Sequence, residues 1–293
     1  MFRLAHLSDP HVRNFASVRF GDLFGKRAVG GLNLVLFRRR KHRPELLQAM
    51  QADLRTRPVD HLAITGDLSN LSLESEWRAA SQWIEGLGWG PEQVTVVPGN
   101  HDTYVEEAVR SGGFERLFAP YQQADVRSGD QTYPFARLRG EVALVGVSTC
   151  VPTGDLAAWG QIGEAQLGRL ERLLTAPELT GKTRVLLIHH PPVAHRPPEN
   201  RNLRDRAALC SLLARTGCEL VLHGHDHRDE FAQLDGPERT IPVFGVGSAS
   251  YSGAAERRSR YNVYEIEGRA ITAVTFAHDP STGRYIEAAR RSV

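Results

Sequence analysis

Cysteine is scarce in this 293-residue chain, and its three copies, Cys150, Cys210 and Cys218, are odd in number and lack the paired spacing of a thiolate zinc site. A disulfide framework and a zinc ribbon are excluded as organising principles, and a reducing cytosol is the expected compartment. Also missing is any run approaching the roughly 18 consecutive apolar residues of a spanning helix. The N-terminus has no apolar signal core before a cleavage site, because Phe2 to Leu7 already reads as a strand ending in polar residues. Net charge is nearly absent, at +2, which argues against nucleic acid as an obligatory partner. No repeat or low-complexity linker divides the chain, so a single domain over residues 1–293 is expected.

Short β-type runs are what the chain has in quantity. Residues 2–7, 61–65, 93–97, 142–148, 184–189, 219–223, 241–246, 261–266 and 270–276 read as strands, several of them continuously apolar. Amphipathic patterns predict helices over 45–55, 75–87, 164–174 and 203–215; Pro44 suits the first turn of one, and Gly217 stops another. Alternating strands and helices imply an α/β fold with strands covered on both sides. The last two strands read as a hairpin turning at Gly268 and suggest a second, partly antiparallel sheet. Two longer irregular segments, 191–202 and 248–260, are expected to wall a site.

Polar chemistry collects where the strands end. Asp9-Pro10-His11, Gly66-Asp67, Gly99-Asn100-His101-Asp102, His189-His190 and Gly224-His225-Asp226-His227 each follow an apolar run. Ligand sites of open α/β sheets lie outside the carboxyl ends of the strands. Any one cluster reads equally well as a turn or a helix cap; together they deliver carboxylate, carboxamide and imidazole to one edge.

In this order the clusters resemble the motifs of the calcineurin-like metallophosphoesterases, with no metal-ligand position departing from the pattern over residues 9–227. The resemblance implies an α/β, four-layer α-β-β-α sandwich of two mixed β-sheets flanked by helices. It implies two metal ions: Asp9, His11, Asp67 and His227 would hold one, and Asp67, Asn100, His189 and His225 the other, with Asp67 bridging. Such a pair activates a bridging hydroxide and clamps the phosphoryl oxygens during in-line displacement. Residues two apart in extended backbone point the same way, so Asp9 with His11, and His225 with His227, are expected to reach inward together while Asp226 turns out. An all-nitrogen-and-oxygen donor set suits Mn²⁺, Fe²⁺/Fe³⁺ or Zn²⁺ and leaves the choice open. His101 is implied as the catalytic residue that stabilises charge or protonates the leaving alkoxide, with Asp102 orienting its ring.

The remaining histidines divide less sharply. His6, His42, His61 and His278 lack motif context and are expected to be structural or solvated; His190 and His223 read as supports. His195, with Arg196 beside it, lies in the Pro-rich loop expected to overhang the site, as a candidate substrate contact. The His-His-Pro-Pro run, the 202–205 helix start and the Gly-Ser-Ala-Ser loop at 247–250 resemble bacterial class III cyclic-nucleotide phosphodiesterases. A small phosphodiester such as a cyclic nucleotide is therefore the implied substrate.

One segment falls outside that pattern. Residues 24–42, within an insertion at about 18–43, flank an apolar middle with Lys26-Arg27 and Arg38-Arg39-Arg40-Lys41. The segment can pack over the core, or rest on an anionic membrane, where each basic residue gains on the order of 1 kcal/mol. The second possibility opens an alternative: a pyrophosphatase or phosphodiesterase of a lipid-linked substrate of the lipid A precursor type, peripheral to the inner face of the membrane. A non-catalytic protein-binding scaffold is the further alternative.

Overall fold

The computed structural model describes residues 1–12, 41–154, 157–193 and 199–293. Apolar runs become strands wherever both faces can be covered. β1 (Phe2–Leu7) is flanked in the chain by α1 (Pro44–Thr56), which starts with proline in its first turn. β2 (His61–Thr65) and β3 (Val94–Val97) are buried along their whole length, as expected of strands with no wet face. Between them lies α2 (Glu74–Glu85), followed after β3 by two short helices, α3 (Glu106–Ser111) and α4 (Gly113–Phe118).

The second half repeats the alternation. β4 (Val126–Arg127), β5 (Phe135–Arg139) and β6 (Val142–Gly146) lead into α5 (Glu164–Leu174), β7 (Thr183–Leu187), α6 (Arg206–Thr216) and β8 (Leu220–His223). The chain then runs through β9 (Glu230–Leu234), β10 (Ile241–Gly245), β11 (Arg260–Glu267), β12 (Ala270–Asp279) and β13 (Arg284–Ser292).

Two mixed sheets result. One is six-stranded in the order β13-β12-β11-β1-β2-β3, the other seven-stranded in the order β4-β5-β6-β7-β8-β10-β9. The terminal strands therefore do not found the second sheet, as their position in the sequence suggested. β11 pairs antiparallel with β1, from Phe2 opposite Ile266 to His6 opposite Asn262, and extends the first sheet. The apolar residues of β11 find their partner in the earliest strand, a long-range choice that local pattern does not carry.

Three apolar layers hold four layers of structure. Leu4, Ala63 and Val97 of the first sheet pack on Phe135, Leu187, Leu222 and Phe244 of the second. Met50, Leu54, Trp77 and Ile84 of α1 and α2 cover the outer face of the first sheet. Leu170, Leu173, Leu209 and Leu213 of α5 and α6 cover that of the second. The architecture is the expected four-layer sandwich. β5 escaped sequence analysis because Arg137 sits mid-strand, yet its side chain is buried. Its guanidinium donates to the carbonyls of Pro91, at 2.8 Å, and Tyr121, at 3.0 Å, while its Nε is buried without a hydrogen-bond partner. β13 escaped for the opposite reason: it is an exposed edge strand with little apolar signal.

Candidate metal centre

The parallel strands β1, β2 and β3 of one sheet and β7 and β8 of the other end on the same edge, and the chain immediately after each carries the polar clusters. These ends are tied to one another. The Asp9 N–H donates to Gly66 O and the His11 N–H to Asp67 O, each at 3.0 Å, so the turn after β1 lies along the turn after β2. Gly66 and Gly99 approach so closely that a Cβ on either would overlap the other's turn. A Cβ on Gly224 would overlap the Ser8 hydroxyl. The glycines of the sequence motifs are thus spacers that let the turns converge.

Backbone conformation marks the same place. Among the described residues six non-glycines have positive φ, and five of them are Asp9, His11, Asp67, His225 and His227. Left-handed backbone is costly for L-residues and persists where surrounding structure enforces it. This corrects the extended-backbone expectation: Asp9 with His11, and His225 with His227, converge because each stands in a left-handed turn, at φ of 53°, 44°, 71° and 51°. Strand alternation plays no part in their aim.

The imidazoles are oriented by what lies behind them. His189 Nδ1 faces the Thr65 carbonyl at 2.7 Å, His11 Nδ1 the Ser69 carbonyl at 3.2 Å, and His225 Nε2 the Arg201 carbonyl at 2.9 Å. A carbonyl only accepts, so each of those nitrogens carries the proton and the opposite nitrogen presents a lone pair inward. The inward atoms crowd together. His11 Nε2 is 3.2 Å from His227 Nε2, and His225 Nδ1 lies 2.9 Å from Asn100 Oδ1 and 3.3 Å from His189 Nε2. Asp67 reaches both groups, with Oδ2 3.9 Å from His11 Nε2 and Oδ1 3.5 Å from His189 Nε2. Burial holds His225 well below 6.5, helped by His190 and His189, and lowers His189 too, so both remain neutral donors.

Asp9 supplies the test of whether a cation fits. Its Oδ2 accepts the His225 N–H at 3.1 Å, while Oδ1 is fully buried and makes no hydrogen bond. His227 Nε2 lies 3.0 Å from that oxygen. Burial opposes ionisation of Asp9, but the neighbouring His227 side chain and the Ser8 hydroxyl overcome it and hold the carboxyl below its ordinary range. A buried, ionised oxygen aimed among inward lone pairs is costly alone and favourable around a cation. One nitrogen or oxygen from each of Asp9, His11, Asp67 and His227 falls within 4.8 Å of the others.

His101 and Asp102 part company. His101 is half-buried at the rim, with its ring stacked on Tyr104 at 5.5 Å and edge-on to His11 at 5.1 Å. The expectation that Asp102 orients this ring is overturned, because His101 Nδ1 pairs with the Asn70 carbonyl at 2.7 Å. The Asp102 carboxylate instead accepts the N–H groups of Gly99, Leu68 and Ser69 and the Ser69 hydroxyl, at 2.8–3.1 Å. It staples the turn after β2 to the turn after β3, and burial lifts its carboxyl to about 6 against those bonds.

The supporting histidines behave as expected. His190 spends its two nitrogens on Thr149 Oγ1 and the Ala158 carbonyl, and His6 and His61 pair with Thr65 and Thr95. His42 does not. Expected to be structural or solvated, it is buried against the centre, with its ring 4.9 Å from His11 and 5.6 Å from His227. One ring nitrogen of each of these three lies within 4.8 Å of the others. No motif marks it, although its place at the end of the inserted segment was visible. His195, Arg196 and residues 24–40 of the basic segment lie outside the described residues. Among the described residues no helix is long and apolar enough to cross a membrane.

A four-layer sandwich with nitrogen and oxygen donors gathered at its carboxyl edge defines a metal-dependent phosphoester hydrolase. The family model described as calcineurin-like phosphoesterase matches residues 2–229, and the chain belongs to that family. A cAMP/cGMP dual specificity phosphodiesterase from Mycobacterium tuberculosis is 27% identical over 85% of this chain and 68% of that protein. Among solved structures, a dimetal phosphatase from Danio rerio superposes with a TM-score of 0.66 at 10% identity, over 100% of this chain and 98% of that one. A purple acid phosphatase from yellow lupin seeds gives a TM-score of 0.58 at 12% identity, over 99% of this chain and 53% of that one.

Proposed function

We propose that this protein is a two-metal phosphodiesterase that hydrolyses a small phosphodiester, with a cyclic nucleotide as the substrate class. Asp9, His11, Asp67 and His227 would hold one cation and Asp67, Asn100, His189 and His225 the second. The observation that carries this reading is the buried Asp9 Oδ1, which makes no hydrogen bond and is gathered with His11, Asp67 and His227, beside the inward lone pairs that backbone carbonyls set on His11, His189 and His225. The name of the Mycobacterium relative supports the diester class. Mn²⁺, Fe²⁺/Fe³⁺ and Zn²⁺ all suit these donors.

When bound, the two cations supply Lewis acidity toward a phosphoryl oxygen and lower the pKa of the attacking water. The chain supplies the rest. Asp67 keeps the two donor groups in register, since its Oδ1 also accepts the His101 N–H at 2.8 Å. His101 keeps Nδ1–H on the Asn70 carbonyl, so Nε2 is the nitrogen that exchanges a proton. The attacking water gives one proton to solvent and its oxygen bonds to phosphorus as hydroxide; as the bond from phosphorus to the leaving oxygen breaks, His101 passes its Nε2 proton to the departing alkoxide and regains one from solvent. Asp102 acts only by holding the turns from which Asp67 and Asn100 project.

The test is a Mn²⁺-loaded substrate panel: a chromogenic phosphodiester, its monoester, cAMP, cGMP and a nucleotide-diphosphate lipid, with Asn100→Ala as control. Diester turnover that exceeds monoester turnover is expected. Preference for the monoester would sink the diesterase reading. Selective cleavage of the lipid pyrophosphate would favour the membrane-surface alternative that the basic segment at 24–42 suggests.

A further inference from the structure

The rings around the centre differ in what stands behind them, and the difference separates one histidine from the rest. His11, His189 and His225 are backed by backbone carbonyls, which only accept, so each turns a lone pair inward. His42 is backed by a hydroxyl: its Nδ1 lies 2.8 Å from Ser250 Oγ. A hydroxyl can give as well as take, and the surroundings decide which.

Ser250 is buried, and its N–H is given to Ser248 Oγ at 3.3 Å. Ser248 in turn donates its hydroxyl proton to the Asp9 carbonyl at 2.7 Å. Among the described residues His42 Nδ1 is the acceptor within reach of the Ser250 hydroxyl. Burying a hydroxyl proton without an acceptor costs on the order of 1–3 kcal/mol, so the Ser250 proton belongs on that contact. His42 Nδ1 accepts it, and the proton of this imidazole resides on Nε2. Whereas the carbonyl-backed rings offer lone pairs, His42 offers an N–H.

Placement agrees with that chemistry. A His42 nitrogen shares the 4.8 Å neighbourhood of His11 and His227, whereas the carboxylates Asp9 and Asp67 group with those two rings separately. His42 therefore flanks the centre on the side of the two imidazoles. The 248–252 loop fixes it there: His42 bridges to Tyr251, the Arg43 N–H donates to Ser250 O at 2.9 Å, and the loop is tied to β1 by the Ala249 N–H on Ser8 O.

We propose that His42, presented by Ser250, is a phosphoryl-oxygen contact of this enzyme: a directed N–H donor to substrate and product phosphate, and not a metal ligand. The proposal rests on the two-metal reading above, and its test separates the two.

Inorganic phosphate is the probe. Its affinity for the Mn²⁺-loaded protein is measured by calorimetry and as the inhibition constant for diester hydrolysis, and metal content is measured by mass spectrometry. His42→Ala should bind phosphate about 10-fold to 100-fold more weakly, the worth of a hydrogen bond to a charged acceptor, and raise KM more than it lowers kcat. Metal stoichiometry and metal affinity should equal wild type. Ser250→Ala, which removes the hydroxyl that sets the tautomer, should weaken phosphate in the same direction by less. His42→Gln, which keeps an N–H donor, should recover part of the loss. Unchanged phosphate affinity in His42→Ala, or in Ser250→Ala where the His42→Ala variant does not fold, overturns the proposal. So does loss of a metal equivalent, which would make His42 a ligand. Wild type that binds no metal overturns the two-metal reading and this inference with it.

Discussion

The two halves of the donor cluster are built from different chemistry. Asp9, His11 and His227 set a buried, ionised carboxylate against two imidazoles, and His227 remains 20% exposed. Asn100, His189 and His225 are all neutral and buried, with contacts of 2.9–3.3 Å among them. Asp67 alone brings charge to the second half, and it is shared. Charge and ligand type govern the affinity of oxygen and nitrogen sites for hard divalent ions. The carboxylate half should therefore hold its cation tightly, and the carboxamide half should hold one loosely and leave it more electrophilic.

Removing the shared group is the strongest way to break that contrast. Asp67→Asn is expected to bring metal content below one equivalent and to lower diester turnover by more than about 10³-fold, beyond the loss of a single transition-state donor. Two tightly held equivalents in that variant would mean that the halves do not share it. His101→Ala probes the rim, outside the proposed ligand set. Turnover should fall about 10²-fold to 10³-fold, as when a proton donor is lost, with metal content unchanged; full activity would remove His101 from the reaction.

The halves themselves are compared by metal titration. Asn100→Ala should weaken only the looser equivalent, by about 10-fold to 100-fold, whereas Asp9→Ala should weaken the tighter one. Equal effects would show that the carboxylate does not distinguish the two sides. Asp102→Asn keeps the shape of the staple but turns an amide toward backbone N–H groups. A destabilisation of about 1–3 kcal/mol is expected by denaturant melting, with the ring of His101 still on Asn70. Direct disturbance of the His101 resonance, without loss of stability, would restore Asp102 as its orienting partner.

A further effect lies behind the cluster and shows only as pH falls. Burial lowers His6 from 6.5 to about 3, with His223 adding to the shift. The unfolded chain therefore takes up this proton first as pH falls. Stability should decline from about pH 6.5 toward pH 3, with a slope of up to about 1.4 kcal/mol per pH unit from this group. His6→Gln should flatten that acid limb in the metal-free protein; an unaltered limb would place the proton uptake elsewhere.

Much of this centre was legible because its chemistry is concentrated in short motifs at strand ends. Asp9, His11, Asp67, Asn100, His189, His225 and His227 were all identifiable before any contact was known, and the structure brings them to one edge. The α/β class followed from alternating strands and helices, and the four-layer sandwich from the resemblance that the motifs carry. Apart from β5 and β13, which local composition concealed, three features that were not legible share one cause. The pairing of β11 with β1, the seat of Asp102 and the arrival of His42 beside His11 each depend on partners far away in the chain.

The sequence by itself determined the candidate donors, their order and the strands that carry them, because residue type and local periodicity are local properties. Only the tertiary structure decided how those donors point. His189 has its tautomer set by the carbonyl of Thr65, 124 residues away, and His42 by the hydroxyl of Ser250, 208 residues away. The left-handed turns at Asp9, His11, Asp67, His225 and His227 are likewise held by neighbouring strand ends that packing brings together. Whether an imidazole offers a lone pair or a proton depends on the group behind it, and that group is chosen by the fold.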